Sequence, residues 1–548
     1  MKKEHWLILG IIILALFLRF YHLTSADVIT DEALIAFRSV GYLDFFASPY
    51  QTTPYEWFSD NLPFWVKLSF HDHPPLVFLI QHLFFSLFGQ SLLVLRLPFV
   101  LAGVGSVFLI YLIGRKLFGK EVGLFAALLL AVSVNHSWVS RIGLQESLVI
   151  FFSLLTFYLF FKNLTDRQHW QWGISLGLAM LTKYTAFIIF PIFLIYSFFT
   201  NRDQLKKKGF WLGLVLAVLI FSPVLIYNIK LYQATNHFDL QFSYLFGQTV
   251  GEWQYLPGKM QIGSFSSRLL DLIPNLFFGI LGPMFLFTVV SVFFALYYLK
   301  KHHDQKLGLL LLTIFSYLFL FLLIGPLPRF LSLVVPFIVL LVAWFVAQQK
   351  KLIVVIFLLI LAIFELFFTI NTLLVYHPLG WENITYSQLK KESYSYGYNQ
   401  LDTYLIQLLN NKKPAVTFTA SYPFLEDIKA KSLVRAEKEK LKPAPILLIY
   451  DGNMYDLATL WLFHRRMVYQ GWPIITADDY LKENQKFWTE QGVGDFYFFK
   501  IIDSSMLQKP AEERTTGAAA LAEQLKDIKP ETIKRPDGRN VFAVYHWQ

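Results

Sequence analysis

The stretch from Thr24 to His73, TSADVITDEALIAFRSVGYLDFFASPYQTTPYEWFSDNLPFWVKLSFHDH, is a polar segment between two apolar ones. It holds seven acidic residues and two basic ones (Lys or Arg), and its acids include the adjacent pair Asp31-Glu32. The chain then returns to apolar sequence through Pro74-Pro75. This pattern predicts carboxylates held at a membrane surface, and we expect the chemistry of the protein in this first loop.

The composition is too apolar for an ordinary soluble protein. Of 548 residues, 55% are hydrophobic and 16% are charged, and the mean hydropathy is +0.47. These values predict a polytopic α-helical membrane protein. The net charge of +10 comes largely from Lys and Arg in short loops beside apolar spans, which indicates membrane topology and not nucleic-acid binding. The absence of cysteine excludes disulfides and thiol catalysis.

The basic start Met1-Lys2-Lys3 before the apolar run Trp6 to Phe20 predicts a cytoplasmic N-terminus and an uncleaved first helix, although a signal peptide shares this pattern. The first loop is therefore outside. The stretch from Pro74 to Gly89 is too short to cross a bilayer and predicts an interfacial or re-entrant helix. The long apolar stretch 172–199 must cross twice to keep both flanking basic runs inside, which predicts a break at Thr182-Lys183-Tyr184.

The fold expected is of about 11 transmembrane helices in the plasma (cytoplasmic) membrane, followed by an extracytoplasmic α/β or α+β domain. The predicted domains are 1–375, with the catalytic first outer loop 24–75, and 376–548. The predicted spans are 6–20, 92–113, 121–139, 147–162, two halves of 172–199, 210–229, 276–299, 307–325, 331–347 and 352–375. In the soluble part, strands are predicted at Val416 to Thr419, Ile446 to Tyr450, Phe496 to Ile501 and Val541 to Tyr545, and helices at Leu401 to Asn410 and Ala518 to Lys526.

Two acidic groups in the first loop are candidates for chemistry. A carboxylate of Asp31-Glu32 held near the headgroups would act as a general base toward a hydroxyl, although a solvated surface is the simpler interpretation. Adjacent helical residues point about 100° apart, so the two acids need not share a task. His71-Asp72-His73 either binds a metal or forms a loop with one oriented imidazole, and the sequence leaves both open.

Cations at the predicted outer ends of spans form the second group of candidates. Lys183 and Arg329 either extend toward the lipid headgroups or bind an anionic phosphate, which Arg329 can hold through two hydrogen bonds. Arg141 and Glu146 lie five residues apart at a helix start, where they either pair or take part in function.

These residues resemble, in their order and spacing, the GT-C glycosyltransferases of the protein O-mannosyltransferase and aminoarabinose transferase superfamily. The resemblance covers roughly residues 1–350. The motifs are Asp31-Glu32, His73-Pro74-Pro75-Leu76, Arg96-Leu97-Pro98, Gly114-Arg115-Lys116-Leu117-Phe118-Gly119, Arg141-Ile142-Gly143-Leu144-Gln145-Glu146, Gly177-Leu178-Ala179-Met180-Leu181-Thr182-Lys183 and Pro328-Arg329-Phe330.

The resemblance implies transfer of a mannose-like hexose or related sugar from a polyprenyl-phosphate donor to an acceptor hydroxyl on the outer face. The acceptor is a lipid, a glycan or a protein, and no nucleic acid is involved. Site roles follow by position: Asp31 is the general base with Glu32 in support, Lys183, Arg329 and Arg141 bind the donor phosphate, and His73, Asp72 and Glu146 bind substrate.

The chain departs from the family pattern in two places. Glu146 stands where protein mannosyltransferases carry Asp, and the long central loop of the eukaryotic enzymes is missing. No cofactor is assigned and no metal ligand is named, although an acidic site beside a phosphate can recruit Mg²⁺ or Mn²⁺. The alternative function is a polytopic transporter or flippase of lipid-linked sugars, for which internal repeats and mid-span polar sites are expected.

Overall fold

The computed structural model describes residues 3–44, 53–58, 62–162, 170–200, 202–248, 264–280, 282–418, 423–483, 485–507, 509 and 511–548. By internal packing these residues form two compact units. The first comprises Met1–Leu23, Phe46–Pro54 and Pro63–Lys391, and the second comprises Thr24–Phe45, Tyr55–Leu62 and Glu392–Gln548. The boundary predicted between residues 375 and 376 stays a prediction.

The α-helices in chain order are α1 Lys3–Phe20, α2 Asp31–Gly41, α3 Pro54–Trp57, α4 Leu76–Phe88, α5 Leu92–Phe118, α6 Lys120–Val132, α7 Val134–Arg141, α8 Gln145–Lys162, α9 Gln171–Thr182, α10 Ile189–Thr200, α11 Arg202–Leu205, α12 Lys208–Thr235, α13 Leu240–Leu245, α14 Phe265–Ile280, α15 Gly282–His302, α16 Gln305–Ile324, α17 Pro328–Leu331, α18 Val335–Ala347, α19 Lys351–Thr369, α20 Tyr398–Leu408, α21 Pro423–Lys438, α22 Asp456–Thr459, α23 Arg465–Gln470, α24 Ala477–Lys482, α25 Gln485–Glu490 and α26 Gly517–Gln524. The strands are β1 Lys412–Pro414, β2 Lys442–Ala444, β3 Ile446–Tyr450, β4 Ile474–Thr476, β5 Asp495–Ile501, β6 Glu531–Lys534 and β7 Asn540–Trp547. Short 3₁₀ segments lie at Phe64–Leu68, Tyr184–Ile188, Gln388–Ser393, Ser504–Met506 and Ala511–Glu513, and wider π turns at Ile370–Leu374 and Leu460–His464.

The first unit is helical and apolar. Within the described residues, six helices are long and apolar enough to cross a membrane, and a seventh span results if α6 and α7, which meet at a bend of 58°, are taken as one. Three shorter apolar helices lie at Leu76–Phe88, Tyr184–Thr200 and Val335–Ala347. The helical membrane fold is therefore present, and the count of 11 spans stays a prediction.

Two local predictions for the first unit are confirmed. The short helix α4 begins directly after Pro74-Pro75, because the fixed φ of proline suits the start of a helix. Helix α9 ends at Thr182, and Lys183 adopts an extended conformation (φ −157°, ψ 134°) before the chain continues as the 3₁₀ turn Tyr184–Ile188 and α10. The chain therefore breaks at Lys183, which leaves this lysine outside any regular helix.

Helices α9 and α12 approach each other closely. A Cβ atom at Gly173 would overlap the backbone carbonyl of Gly213, so both positions need glycine for this backbone contact. Larger side chains fill the core on either side, among them Trp172 and Phe210, whose ring centroids are 5.4 Å apart.

The second unit is built on a five-stranded sheet of order β4-β3-β5-β7-β6. Strand β3 is parallel to β4 and to β5, with Leu448 opposite Ile474 and Tyr497, while β7 is antiparallel to β5 and β6. Alternate β3 residues enter different apolar clusters, Ile446 and Leu448 on one face and Leu447 and Ile449 on the other. Burial on both faces explains the uninterrupted apolar run of β3.

The strands predicted at 446–450, 496–501 and 541–545 are present, and so are the helices predicted at 401–410 and 518–526, each with shifts of a few residues at its ends. The strand predicted at Val416 to Thr419 is wrong. The described residues form the strand earlier, at Lys412–Pro414, where it pairs in parallel with Lys442–Ala444. Thr419 itself lies outside the described residues.

Candidate functional site

Lys183 and Glu146 form an ion pair in the first unit. Glu146 lies in the first turn of α8, and its side chain is 2% exposed, while that of Lys183 is 12% exposed. The pair joins the start of α8 to the break after α9. Two buried opposite charges of this kind are costly to desolvate, so they are weak evidence for stability and more informative about function.

Arg329 reaches the same place from α17. Its Cζ atom lies 5.1 Å from the centroid of the Phe330 ring, and Lys183 Nζ lies 4.5 Å from that centroid. Such distances are within the range of cation–π attraction. Asn135 contacts the first residue of α17, since its side-chain amide donates a hydrogen bond to the Pro328 carbonyl at 3.3 Å. The structure therefore brings Lys183, Glu146 and Arg329 together around one aromatic ring.

The His71-Asp72-His73 loop forms a second polar group in the first unit. His73 Nδ1 lies 3.0 Å from Asp72 Oδ2, and His71 Nδ1 lies 3.8 Å from Asp72 Oδ1. The His71 and Asp72 side chains are almost fully buried, whereas that of His73 is 27% exposed. The His73 Nδ1–Asp72 Oδ2 distance is that of an ion pair, but this nitrogen makes no hydrogen bond within the described residues. The two alternatives weighed from the sequence, an oriented imidazole and a metal site, are therefore both untested.

Asp239 links this loop to the Lys183 break, and the sequence analysis missed it. Its carboxylate accepts hydrogen bonds from the Tyr184 phenol at 2.8 Å and the Asn228 amide at 3.0 Å. Burial raises the pKa of Asp239 to about 6, although these hydrogen bonds and the nearby His71 act in the opposite direction. The next residue, Leu240, donates its N–H to the His71 carbonyl at 2.6 Å. The sequence feature that could have identified Asp239 is its position as an acid directly before the short helix α13, in a loop rich in aromatic residues.

Arg141 is in a different environment from the other predicted phosphate ligands. Its guanidinium donates to the backbone carbonyls of the end of α1, namely Leu18 at 2.8 Å, Arg19 at 3.2 Å, Tyr21 at 2.8 Å and His22 at 3.1 Å. The described contacts of Glu146 include Lys183, so the expected alternative of an Arg141–Glu146 pair is not what the structure forms. The arrangement favours helix capping by Arg141, and its phosphate-binding role stays a prediction.

Asp31 and Glu32 belong to the second unit. Helix α2 begins at Asp31, and the Thr30 hydroxyl accepts the Glu32 N–H at 3.4 Å as the N-cap. Acids are favourable in the first turn because they face the positive end of the helix dipole. Glu32 is fully buried and Asp31 is half-buried. Of the two, Asp31 is the more accessible to a reactant.

Comparison with known proteins adds a family match and a fold match. The model of the dolichyl-phosphate-mannose-protein mannosyltransferase family matches residues 72–227. Two Bacillus subtilis (strain 168) proteins, provisionally named the mannosyltransferases YkcB and YycA, are similar in sequence to this chain. YkcB is 31% identical over 210 residues, which are 34% of this chain and 29% of YkcB, and YycA is 28% identical over 272 residues, 44% and 37%. The chain spans about a third of the length of these curated relatives.

Two solved structures share the fold over 99% of this chain. ArnT from Cupriavidus metallidurans bound to undecaprenyl phosphate matches over 98% of its own chain with 13% identity and a TM-score of 0.55. The oligosaccharyltransferase AglB from Archaeoglobus fulgidus, in complex with an inhibitory peptide and a dolichol-phosphate, matches over 74% of its chain with 14% identity and a TM-score of 0.51.

The shared fold and the apolar helices together indicate an integral membrane protein with the helical GT-C fold. The motifs and the family match agree with this class, and the comparisons confirm the resemblance to GT-C, protein-mannosyltransferase-like glycosyltransferases.

Proposed function

We propose that this chain is a membrane glycosyltransferase that moves a sugar from a polyprenyl-phosphate donor to an acceptor hydroxyl on the outer face of the plasma membrane. The sugar is a mannose-like hexose or a related pentose, and the acceptor is a lipid, glycan or protein. The N-terminus is cytoplasmic and the C-terminal part extracytoplasmic. Support comes from the family match and from the lipid phosphates bound to ArnT and AglB.

The observation that carries the proposal is the convergence of Lys183 and Arg329 on Phe330, with Glu146 as the counter-ion of the lysine. A donor phosphate would interact with both cations and compete with Glu146 for Lys183. Arg329 adds a planar group with several donors, which suits phosphate oxygens. Because the side chains are largely buried, their charges act on a bound phosphate with less screening than at an open surface.

In the proposed reaction, Asp31 takes the proton of the acceptor hydroxyl while the hydroxyl oxygen of the acceptor bonds to the anomeric carbon of the sugar. The bond from that carbon to the phosphate oxygen breaks, and its electron pair leaves with the polyprenyl phosphate. Lys183 and Arg329 stabilise the charge that develops on this leaving group. In an inverting displacement the base must face the side of the carbon opposite the phosphate.

The remaining residues of the candidate site have supporting roles. Asp72 lies 3.0 Å from His73 Nδ1 and would bind substrate beside His73, which would line the position of the sugar. Glu32, which follows Asp31 in the chain and is buried, would support Asp31, and Glu146 would be the counter-ion of Lys183 beside the substrate. The His71-Asp72-His73 set offers imidazole and carboxylate donors, so any Mg²⁺ or Mn²⁺ requirement would be tested by chelation.

The test is sugar transfer by purified protein from radiolabelled polyprenyl-phosphate sugars to membrane and protein acceptors. Asp31→Asn should lower turnover by roughly 10²- to 10⁴-fold, the usual contribution of a general base, while the protein still binds undecaprenyl phosphate. Asp427→Asn makes the same chemical change at an exposed position of α21 and should transfer like wild type. Unchanged transfer by Asp31→Asn would contradict the assignment of the base. Uptake of lipid-linked sugar into vesicles without transfer would favour the transporter or flippase.

A further inference from the structure

The second unit holds the acid-bearing helix α2 from both of its ends. At the first end, the Asp27 carboxylate accepts four backbone N–H groups of the segment that starts α20. Oδ2 accepts from Tyr396 at 2.6 Å, Gly397 at 2.9 Å and Tyr398 at 3.1 Å, and Oδ1 accepts from Asn399 at 2.9 Å. Asp27 is fully buried. A carboxylate at a helix N-terminus is a strong, charge-assisted arrangement, so the segment before α2 is fixed to α20.

At the other end, Tyr469 contacts the last turns of α2. Its hydroxyl donates to the Phe37 carbonyl at 2.8 Å, and its ring lies 5.6 Å from the Phe37 ring. A Cβ atom at Gly41 would collide with the Tyr469 ring, so the contact is close enough to require glycine. Tyr469 therefore fixes the C-terminal end of the helix through its backbone.

These two anchors are joined to each other through α20. Asp402 on α20 accepts hydrogen bonds from Arg465 and Arg466 at 2.7 Å each, on the helix that carries Tyr469. Burial alone would raise the pKa of Asp402, but the two guanidinium groups hold it below its ordinary value. The result is a closed frame that runs from Asp27 through α20 and α23 to the end of α2.

We propose that this frame is a positioning device for Asp31, with Asp27 and Tyr469 as its positioning residues, so that the C-terminal segment contributes to turnover by holding the acid-bearing helix. The proposal rests on the proposed function, because it assumes that Asp31 is the base. Neither positioning residue needs to touch substrate. A displacement of about 1 Å in a reacting group can cost on the order of 10²-fold in rate, so loosening either anchor should act on turnover.

The experiment compares Asp27→Asn and Tyr469→Phe with wild type in the full-length protein. The readouts are kcat, KM for the donor, affinity for undecaprenyl phosphate, and amide hydrogen exchange over residues 31–41. We expect kcat to fall by roughly ten- to a hundredfold, with KM and lipid affinity unchanged and exchange in 31–41 accelerated. The effect is separable from the base itself, because Asp31→Asn should lower kcat without accelerating this exchange.

Matched controls remove equivalent groups of the same unit whose described hydrogen-bond partners lie outside α2. Asp451→Asn alters another buried carboxylate, one that accepts the N–H groups of Asn453 at 2.9 Å and Ile501 at 3.2 Å. Tyr404→Phe removes a phenol that donates to Glu531 at 3.0 Å. Both should leave exchange in 31–41 unchanged.

Each result decides a different point. Normal kcat and normal exchange in the two anchor variants would overturn the frame while leaving the proposed function intact. Equal losses in the controls would overturn it as well, because they would show general destabilisation of the unit. If wild type transfers no sugar, the proposed function fails, and unchanged exchange in the anchor variants would then reject the anchoring itself.

Discussion

The phenol of Tyr184 donates a hydrogen bond to Asp239 Oδ2 at 2.8 Å, and Tyr184 directly follows Lys183 in the chain. Tyr184→Phe leaves the buried Asp239 with one donor fewer and should lower the free energy of unfolding by about 1–3 kcal/mol. It should also weaken undecaprenyl phosphate binding, because the backbone at Lys183 loses its anchor. Thermal unfolding and lipid titration measure the two effects. Tyr404→Phe removes an exposed phenol contact and should change neither quantity; equal behaviour of the two variants would reject the link.

Substituting the two residues of the buried Lys183–Glu146 pair separates the effect of the pair on stability from its effect on lipid-phosphate binding. Lys183→Gln leaves Glu146 as a buried unpaired charge, which should cost about 3–5 kcal/mol of stability. Adding Glu146→Gln should restore much of that stability without restoring affinity for undecaprenyl phosphate. A double variant that binds the lipid phosphate as wild type does would contradict the role of Lys183.

The exposed pair Lys206–Asp203, at 3.0 Å, is the matched control for this cycle. Both side chains are more than three-quarters exposed. Removing either partner should change stability by about 0–1 kcal/mol, because exposed ion pairs are weak.

Arg141→Lys tests the capping of α1 by a guanidinium. A lysine ammonium cannot donate to all four carbonyls that surround the planar guanidinium. The free energy of unfolding should therefore fall by about 1–3 kcal/mol. The folded fraction should bind undecaprenyl phosphate with unchanged affinity. A selective loss of lipid binding, with stability retained, would instead support the phosphate role predicted from the sequence. Arg202→Lys, at an exposed position that bonds the Phe198 carbonyl at 3.1 Å, is the control.

Stability should also depend on pH through Asp27. Burial raises the pKa of Asp27 from 3.8 to about 6, although four backbone N–H groups act to lower it. Between these values the folded chain holds a proton that the unfolded chain has lost, so the free energy of unfolding falls as pH rises from 3.8 to about 6. The expected change is roughly 3 kcal/mol. Unfolding of wild type and Asp27→Asn at pH 4 and pH 7 measures it. The variant should show a smaller difference between the two pH values, and an equal difference would contradict the assignment.

Local sequence signals predicted the features that depend on neighbouring residues. Pro74-Pro75 predicted the start of α4, and the need for two basic flanks on the same side predicted the break at Lys183. The apolar run Ile446 to Tyr450 predicted a strand, which the structure shows to be buried. In each case the determining interactions lie within a few residues, or follow from the membrane, so a single sequence contains them.

Interactions between distant segments were not predictable in the same way. Nothing near Asp239 identifies Tyr184 as its donor, and nothing near Asp27 identifies the backbone at residues 396–399. These pairings depend on how separate elements pack, which the local pattern does not encode. The resemblance to a known family indicated which residues belong to the candidate site. It did not indicate that Lys183 is the ion-pair partner of Glu146, which only the folded structure shows.

The contact between Asp27 and Tyr396 spans 369 positions of the chain, and this has a consequence for biosynthesis. The ribosome makes the acid-bearing helix among the earliest segments and its anchors among the latest. During most of translation the segment around Asp27 and α2 therefore lacks its native partners and is accessible to proteases and chaperones. Positioning of the proposed base Asp31 becomes a late event, so we expect a chain truncated before residue 396 to be inserted into the membrane yet inactive.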